Sequence, residues 1–225
     1  MPDVPDIAIE PPVEETVRLG WFLAHGVDPT ACSPLFEEEL EALAGALRQR
    51  YPDPASAVER NRPARVLYRG VGIDPTKHRP SSEALLRRVL SGKPLYRVNT
   101  VVDAANLWSL GAALPVGLYD VERLKGALRA GLGAEGEGYQ GISKGRINVE
   151  GRLMLRDSEG PFGNPSADSW RTRVQDDTSC VLFVIFAPAM VGPGEMERLA
   201  TEAAVLMSRH VGGAAGPVRV APVKG

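Results

Sequence analysis

The sequence predicts an α+β fold, and three observations carry that prediction. Residues 179–188 (SCVLFVIFAP) form a continuous apolar run of strand length, the pattern of a strand covered on both faces. Two segments, one around 35–50 and one at 194–210, instead repeat apolar residues at helical spacing. Between them, residues 126–178 carry glycine every few positions and short alternating pieces such as 146–156 (RINVEGRLMLR), which read as hairpins. Helices and strands follow no regular β-α-β-α order, so the class is α+β. The expected architecture places 181–186 in a central sheet flanked by the helices near 35–50 and 195–210.

Taken in order, residues 1–15 read as an extended arm, because Pro2, Pro5, Pro11 and Pro12 each fix φ and remove a backbone donor. Residues 16–27 have strand composition and end in a Gly-Val-Asp-Pro turn. Ser33 and Pro34 open a helix whose face is Phe36, Leu40, Leu43 and Leu47. Glu37, Glu38 and Glu39 near its start and Arg48 and Arg50 near its end match the helix dipole, and Tyr51-Pro52 stops it. Residues 62–72 read as a strand and 73–80 as a turn-rich loop; Ser81 or Ser82 then caps a short helix through Leu90, ended by Gly92 and Pro94. Small and apolar spacing over 101–110 fits a buried helix ended by Gly111. The helix at 194–210 carries Met196, Leu199, Ala203, Leu206 and Met207 as its core face and stops at Gly212-Gly213. Residues 217–223 read as a closing edge strand. With 225 residues, no internal repeat and no linker, one domain over 1–225 is the expectation.

Composition narrows the function classes. At 44% hydrophobic and 24% charged, the chain has the balance of an ordinary globular protein, and its longest apolar runs fall far short of the roughly 20 residues that span a bilayer. The acidic, proline-rich start has no secretory pattern. Two cysteines, Cys32 and Cys180, form no framework and no CxxC, so a reducing cytoplasmic compartment is expected. Three dispersed histidines make a zinc site of the usual spacing improbable. There is no GxGxxG, Walker loop, GxSxG or HExxH, and neither a cofactor nor a metal is expected. The glycines of 131–141 read as hairpin turns, with a ligand loop as the minor alternative. Charge is uneven: net −9 over residues 1–59 and +8 over 60–97, within an overall −2. The two segments either face each other and solvent, or the basic one meets a polyanion.

Residues 71–120 carry more information. They read VGIDPTKHRPSSEALLRRVLSGKPLYRVNTVVDAANLWSLGAALPVGLYD. Within them stand Pro80-Ser81, Gly92, Asn99, Val101-Val102-Asp103, Asn106, Pro115 and Tyr119-Asp120, followed by Lys125-Gly126, a glycine-rich turn near Glu137, and the stretch 157–178. This pattern resembles the B3/B4 domain of the phenylalanyl-tRNA synthetase β subunit over about residues 60–190. Gly160-Pro161-Phe162-Gly163-Asn164-Pro165 and Asp168-Ser169-Trp170-Arg171-Thr172 resemble small freestanding relatives of that domain. The resemblance implies a mixed, largely antiparallel sheet flanked by helices. It also implies a site of the kind that hydrolyses tyrosine wrongly attached to tRNA. Two positions depart from the family pattern: Ala105 precedes Asn106 where the family has Thr, and Gly117 stands where it has His. These departures imply an altered substrate or lost catalysis, and Gly117 in particular should enlarge the space beside a substrate.

An aminoacyl ester on a ribose is labile, so hydrolysis needs a positioned water and donors to the developing oxyanion, with no activated nucleophile. Asn106, Asp168 and Arg171 are the candidate catalytic residues, and Lys77, Arg79, Asp103, Ala105, Gly117, Asn164, Ser166 and Ser169 the candidate substrate contacts. The expectation is that Asn106, Gly117, Asp168 and Arg171 surround one pocket. Each has a structural alternative. Asp103 and Asn106 also suit cap and turn bonds, Asp120 suits a helix cap, and His78 suits the surface. Three functions compete: a trans-acting aminoacyl-tRNA deacylase, a non-catalytic tRNA- or RNA-binding module, and an amino acid binder on the same fold. The expected partner is the aminoacylated 3′ end of tRNA or aminoacyl-adenosine. Ligase activity is not expected, because no ATP-binding motif is found.

Overall fold

A computed structural model of the chain describes residues 4–143 and 145–222. In chain order its elements are β1 (Ile7–Ile9), β2 (Val17–His25), α1 (Phe36–Arg50), α2 (Ser56–Arg60), α3 (Arg62–Gly70), α4 (Ser81–Leu90), α5 (Thr100–Ala112) and β3 (Val116–Asp120). They continue with β4 (Leu128–Leu132), β5 (Gly138–Gln140), β6 (Arg146–Asn148), β7 (Leu153–Asp157), β8 (Gly160–Asn164), β9 (Ala167–Asp168), β10 (Cys180–Pro188), α6 (Pro193–Val211), β11 (Ala214–Ala215) and β12 (Arg219–Ala221). The fold is α+β, with mixed and mostly antiparallel sheets. No described helix is long and apolar enough to cross a membrane.

The apolar run of the sequence is β10, and every residue of it is buried. It lies between β2 and β3, antiparallel to both, and β11 and β12 pair with the far edge of β2. Because side chains alternate along a strand, β10 feeds two cores. Val181, Phe183, Ile185 and Ala187 face α5 and α6, where Phe183 stacks on Phe22 at 5.0 Å and meets Trp108 edge-on at 5.9 Å. Leu182, Val184 and Phe186 face the other way, toward Leu67 and Tyr68 of α3 and toward a second sheet. That second sheet has the order β1-β4-β7-β8-β9, in which β1 runs parallel to β4 and the remaining pairs are antiparallel.

Several sequence readings need correction. Residues 62–70 are helical, not a strand. Ala64, Leu67, Tyr68 and Val71 are buried at spacings of three and four, a helical stripe, and Pro63 sits in the first turn where its missing N–H costs nothing. The N-terminal arm is docked: Ile7–Ile9 pairs with β4, and the Trp21 indole donates to the Pro5 carbonyl at 2.8 Å. The helix near 35–50 does not flank the sheet. Leu47 and Ala44 pack with Leu86, Val89 and Leu110, so α1 forms an outer layer on α4 and α5. Its start is tied to the end of α6 by Ser33 Oγ against His210 Nδ1 (2.7 Å) and His210 Nε2 against Glu39 (3.0 Å). The closing strand is confined to Arg219–Ala221, and residue 223 lies outside the described residues.

Phe183 is fully buried in the middle of this arrangement. Phe183→Ala should therefore cost about 3–5 kcal/mol, read as a lower denaturant midpoint with an unchanged slope.

Candidate functional site

The outer edge of β3 determines where polar groups collect. In this sheet β3 pairs with β10 on one side only, so its outward N–H groups need acceptors. The segment 168–172 supplies them: Leu118 N–H donates to Asp168 Oδ2 at 3.3 Å and Asp120 N–H to the Thr172 carbonyl at 2.9 Å. Asp168 as a residue is only partly buried, but its Oδ1 is fully enclosed, with the Tyr119 hydroxyl beside the carboxylate. Burial pushes the Asp168 carboxyl up to about 7, against the smaller opposing effects of Tyr119 and the Leu118 N–H. The Tyr119 hydroxyl beside it is also buried and bears on the same carboxylate.

Three buried tyrosines converge on the turn between β8 and β9. Tyr68 donates to the Pro165 carbonyl at 2.7 Å and accepts from Ser166 Oγ at 3.0 Å, with the Ser81 backbone amide on the same hydroxyl. Tyr139 donates to the Ala167 carbonyl. Tyr119 wedges its ring between two glycines. A Cβ at Gly117 would stand 2.1 Å from Tyr119 Oη, and one at Gly163 2.3 Å from it. Asn164 closes the turn from inside, its Oδ1 accepting from Ser166 N (2.7 Å) and Ala167 N (3.0 Å). Beside the turn lies a cavity of about 220 Å³ lined by Gly141, Ile142, Ser143, Ile147, Ser166, Ala167 and Asp168.

The candidate residues divide into three groups. Asp168, Ser166, Asn164 and Gly117 belong to this turn and the strand beside it. Lys77 and Arg79 are exposed on the loop leading into Ser81, and neither lines the cavity; Arg79 lies 3.6 Å from the buried Glu83. Other residues have structural partners. Arg171 does not meet Asp168: its guanidinium grips the fully buried Asp157 through two bonds of 2.8 and 3.0 Å and donates to the Arg123 carbonyl. Its planar fork is matched to a carboxylate within the fold, which corrects its reading as a free oxyanion donor. Ser169 Oγ is buried against Thr172 Oγ1 at 2.8 Å. Asp103 accepts from the Val98 amide and pairs with Arg97, both at 3.0 Å. Ala105 packs in the core between α5 and the sheet, on the face opposite Tyr119. Asn106 follows it, partly buried and hydrogen-bonded to neither Asp168 nor Arg171 among the described residues. The four-residue pocket built around Asn106 and Arg171 is therefore not formed by direct contacts.

Gly117 also works differently from the sequence reading. The volume that a side chain would take there is filled by Tyr119, so glycine admits the tyrosine and opens no space beside a substrate. Sequence reasoning missed the converging tyrosines because Tyr68 lies 97 and 98 positions from its partners Pro165 and Ser166. Asp120 does act as a cap, accepting from the Glu122 amide at 3.0 Å. Cys180 Sγ lies 3.2 Å from His25 Nδ1, but burial pushes the thiol up to about 11, so the pair holds no thiolate at neutral pH.

Two substitutions check this geometry. Gly117→Ala should destabilise by about 1–3 kcal/mol through overpacking, and adding Tyr119→Phe, which removes the nearest atom, should recover part of the loss in urea denaturation. Arg171→Ala should cost about 3–5 kcal/mol, because it leaves the buried Asp157 carboxylate without its cation. A variant as stable as the parent would contradict the clamp.

Comparison with known proteins places this geometry in a family. No curated protein matches the sequence. A solved structure, an N-terminal fragment of the phenylalanyl-tRNA synthetase β-subunit from Pyrococcus horikoshii, is similar at 16% identity and a TM-score of 0.40. The match covers 55% of this chain and 43% of that one, so the chain spans less than half of that fragment. The family model of the B3/4 domain matches residues 64–214, a stretch that runs from within α3 to the start of β11 and takes in the three tyrosines and the turn that they hold. The chain belongs to the B3/4 domain family.

Proposed function

We propose that the chain, acting as one B3/B4-like domain over residues 1–225, hydrolyses the ester of a mischarged aminoacyl-tRNA in a reducing cytoplasmic setting. Family membership and the sequence resemblance to an editing domain supply the tRNA-related role and the reaction class. The single observation that carries the chemistry is Asp168, a buried carboxyl brought to about 7 on a residue that lines a cavity. A base with that affinity is about half ionised at neutral pH, where general-base catalysis is most effective. In this reading the Asp168 carboxylate takes a proton from water as the water oxygen bonds to the ester carbon. The ester C–O bond then breaks, and the ribose oxygen leaves with the proton. Tyr119 and Asn164 act as positioning residues: one stands behind the carboxyl and the other fixes the turn that carries it. Lys77 and Arg79 offer charge to the RNA backbone from the loop before α4.

A non-catalytic tRNA-binding role is the second reading. It is favoured by the commitment of the turn's donors, since Ser166 N and Ala167 N serve Asn164 and Arg171 serves Asp157, so none of these three is free for an oxyanion.

The test is a deacylation screen against tRNAs mischarged with each amino acid. Asp168→Asn should lower the rate on the order of 10²–10⁴-fold, and the parent rate should rise with pH to a plateau, with its midpoint near 7. Stability should move oppositely. A carboxyl raised on folding stabilises below its unfolded value of about 4 and loses that contribution as pH climbs through about 7. The melting temperature of Asp168→Asn relative to the parent should therefore be higher at pH 8 than at pH 4. RNA binding with no hydrolysis of any ester would leave the second reading. Retention of a free amino acid, indifferent to RNA, would point to the amino acid binder.

A further inference from the structure

Of the three tryptophans in the chain, Trp21 and Trp108 are buried and Trp170 is 50% exposed. Its exposure is not looseness. The Trp170 amide donates to the Gln140 carbonyl at 2.8 Å, and the preceding Ser169 forms an antiparallel bridge with Gly141. Arg173 stacks over the ring with its guanidinium carbon 3.4 Å from the centroid. The same guanidinium is braced by the Trp170 carbonyl at 2.6 Å and by Gln175 Oε1. A large ring is thus held in a fixed pose with a cation on it, and half of its surface is left to solvent. The two strands that hold it are those that border the cavity: Gly141 and Ile142 line it from one side and Asp168 from the other. Ile142 is itself 47% exposed.

We propose that Trp170 and Arg173 form a stacking platform for the terminal nucleobase of an RNA whose acylated ribose lies at the Asp168 cavity. Every aminoacyl ester of tRNA is carried on a terminal adenosine, so a site for the ester must have a neighbouring place for that base. The cavity, at about 220 Å³, is side-chain-sized and leaves the nucleoside outside. A single rigid ring under a guanidinium suits a planar π-system next to a phosphate. The inference rests on the deacylase reading for the ester, but the platform itself is tested separately.

Trp170 is the exposed fluorophore, so its emission reports on the platform directly. Titration with adenosine 5′-monophosphate and with the trinucleotide CCA should quench it, more strongly for the trinucleotide. Trp170→Ala should raise the KM for a mischarged tRNA on the order of ten- to hundredfold, with the effect falling on KM rather than on kcat, and Trp170→Phe should restore most of the affinity. Arg173→Ala should weaken binding and flatten its dependence on salt. An unquenched Trp170, together with a KM within twofold of the parent in Trp170→Ala, would overturn the platform even if Asp168→Asn abolishes hydrolysis. Quenching by CCA in a protein that hydrolyses no ester would uphold the platform and remove the deacylase reading instead.

Discussion

The molecule is organised by the burial of β10 on both of its faces. A nine-residue strand with no exposed side chain needs cover above and below, and the remaining elements divide accordingly: α5 and α6 on one face, α3 and the second sheet on the other. Flanked by β2 and β3, the strand can satisfy its own backbone. The problem of unpaired N–H groups passes outward to β3. Its edge meets the segment 168–172, and one of the acceptors found there is a carboxylate. The placement of Asp168 thus follows from the closing of a sheet edge. Its raised proton affinity follows from the same burial.

The turn that carries Asp168 is held by side chains that are themselves buried polar groups. An unsatisfied hydroxyl inside a protein is costly, and Tyr68 and Tyr139 avoid that cost by bonding the main chain of the turn. Tyr119 turns instead toward Asp168, and its buried hydroxyl bears on that carboxylate. Gly117 and Gly163 leave the room this ring requires. A buried hydroxyl set on a buried carboxyl beside a cavity is what separates this turn from the other hairpins of the chain.

Charge has a different distribution in the fold from that along the sequence. The basic segment 60–97 does not simply face the acidic one. Arg65 and Arg87 converge on Glu83, which is fully buried and held below the usual carboxylate range against the opposing effect of its own burial. Arg97 meets Glu37 and Asp103. Lys77 and His78 keep their exposure, on the loop that enters α4.

Much of the fold was legible in the sequence because local patterns encode it. The uninterrupted apolar run of β10 and the helical stripes of α1 and α6 are properties of neighbouring residues. The serine cap expected for α4 is not formed, its N-cap being Pro80 with no side-chain bond. The helix 62–70 was misread although its spacing was present, since β-branched and aromatic residues there also suit a strand. The site was only partly legible. Sequence similarity could mark Gly117, Asn164 and Asp168 as positions of interest, yet it could not pair Arg171 with Asp157, put Ala105 on the far face of the sheet, or fill the space at Gly117 with Tyr119. Those outcomes depend on contacts between residues far apart in the chain. Local periodicity determines which face of an element is apolar, whereas which polar group is enclosed, and against what, is decided only when the elements close around it.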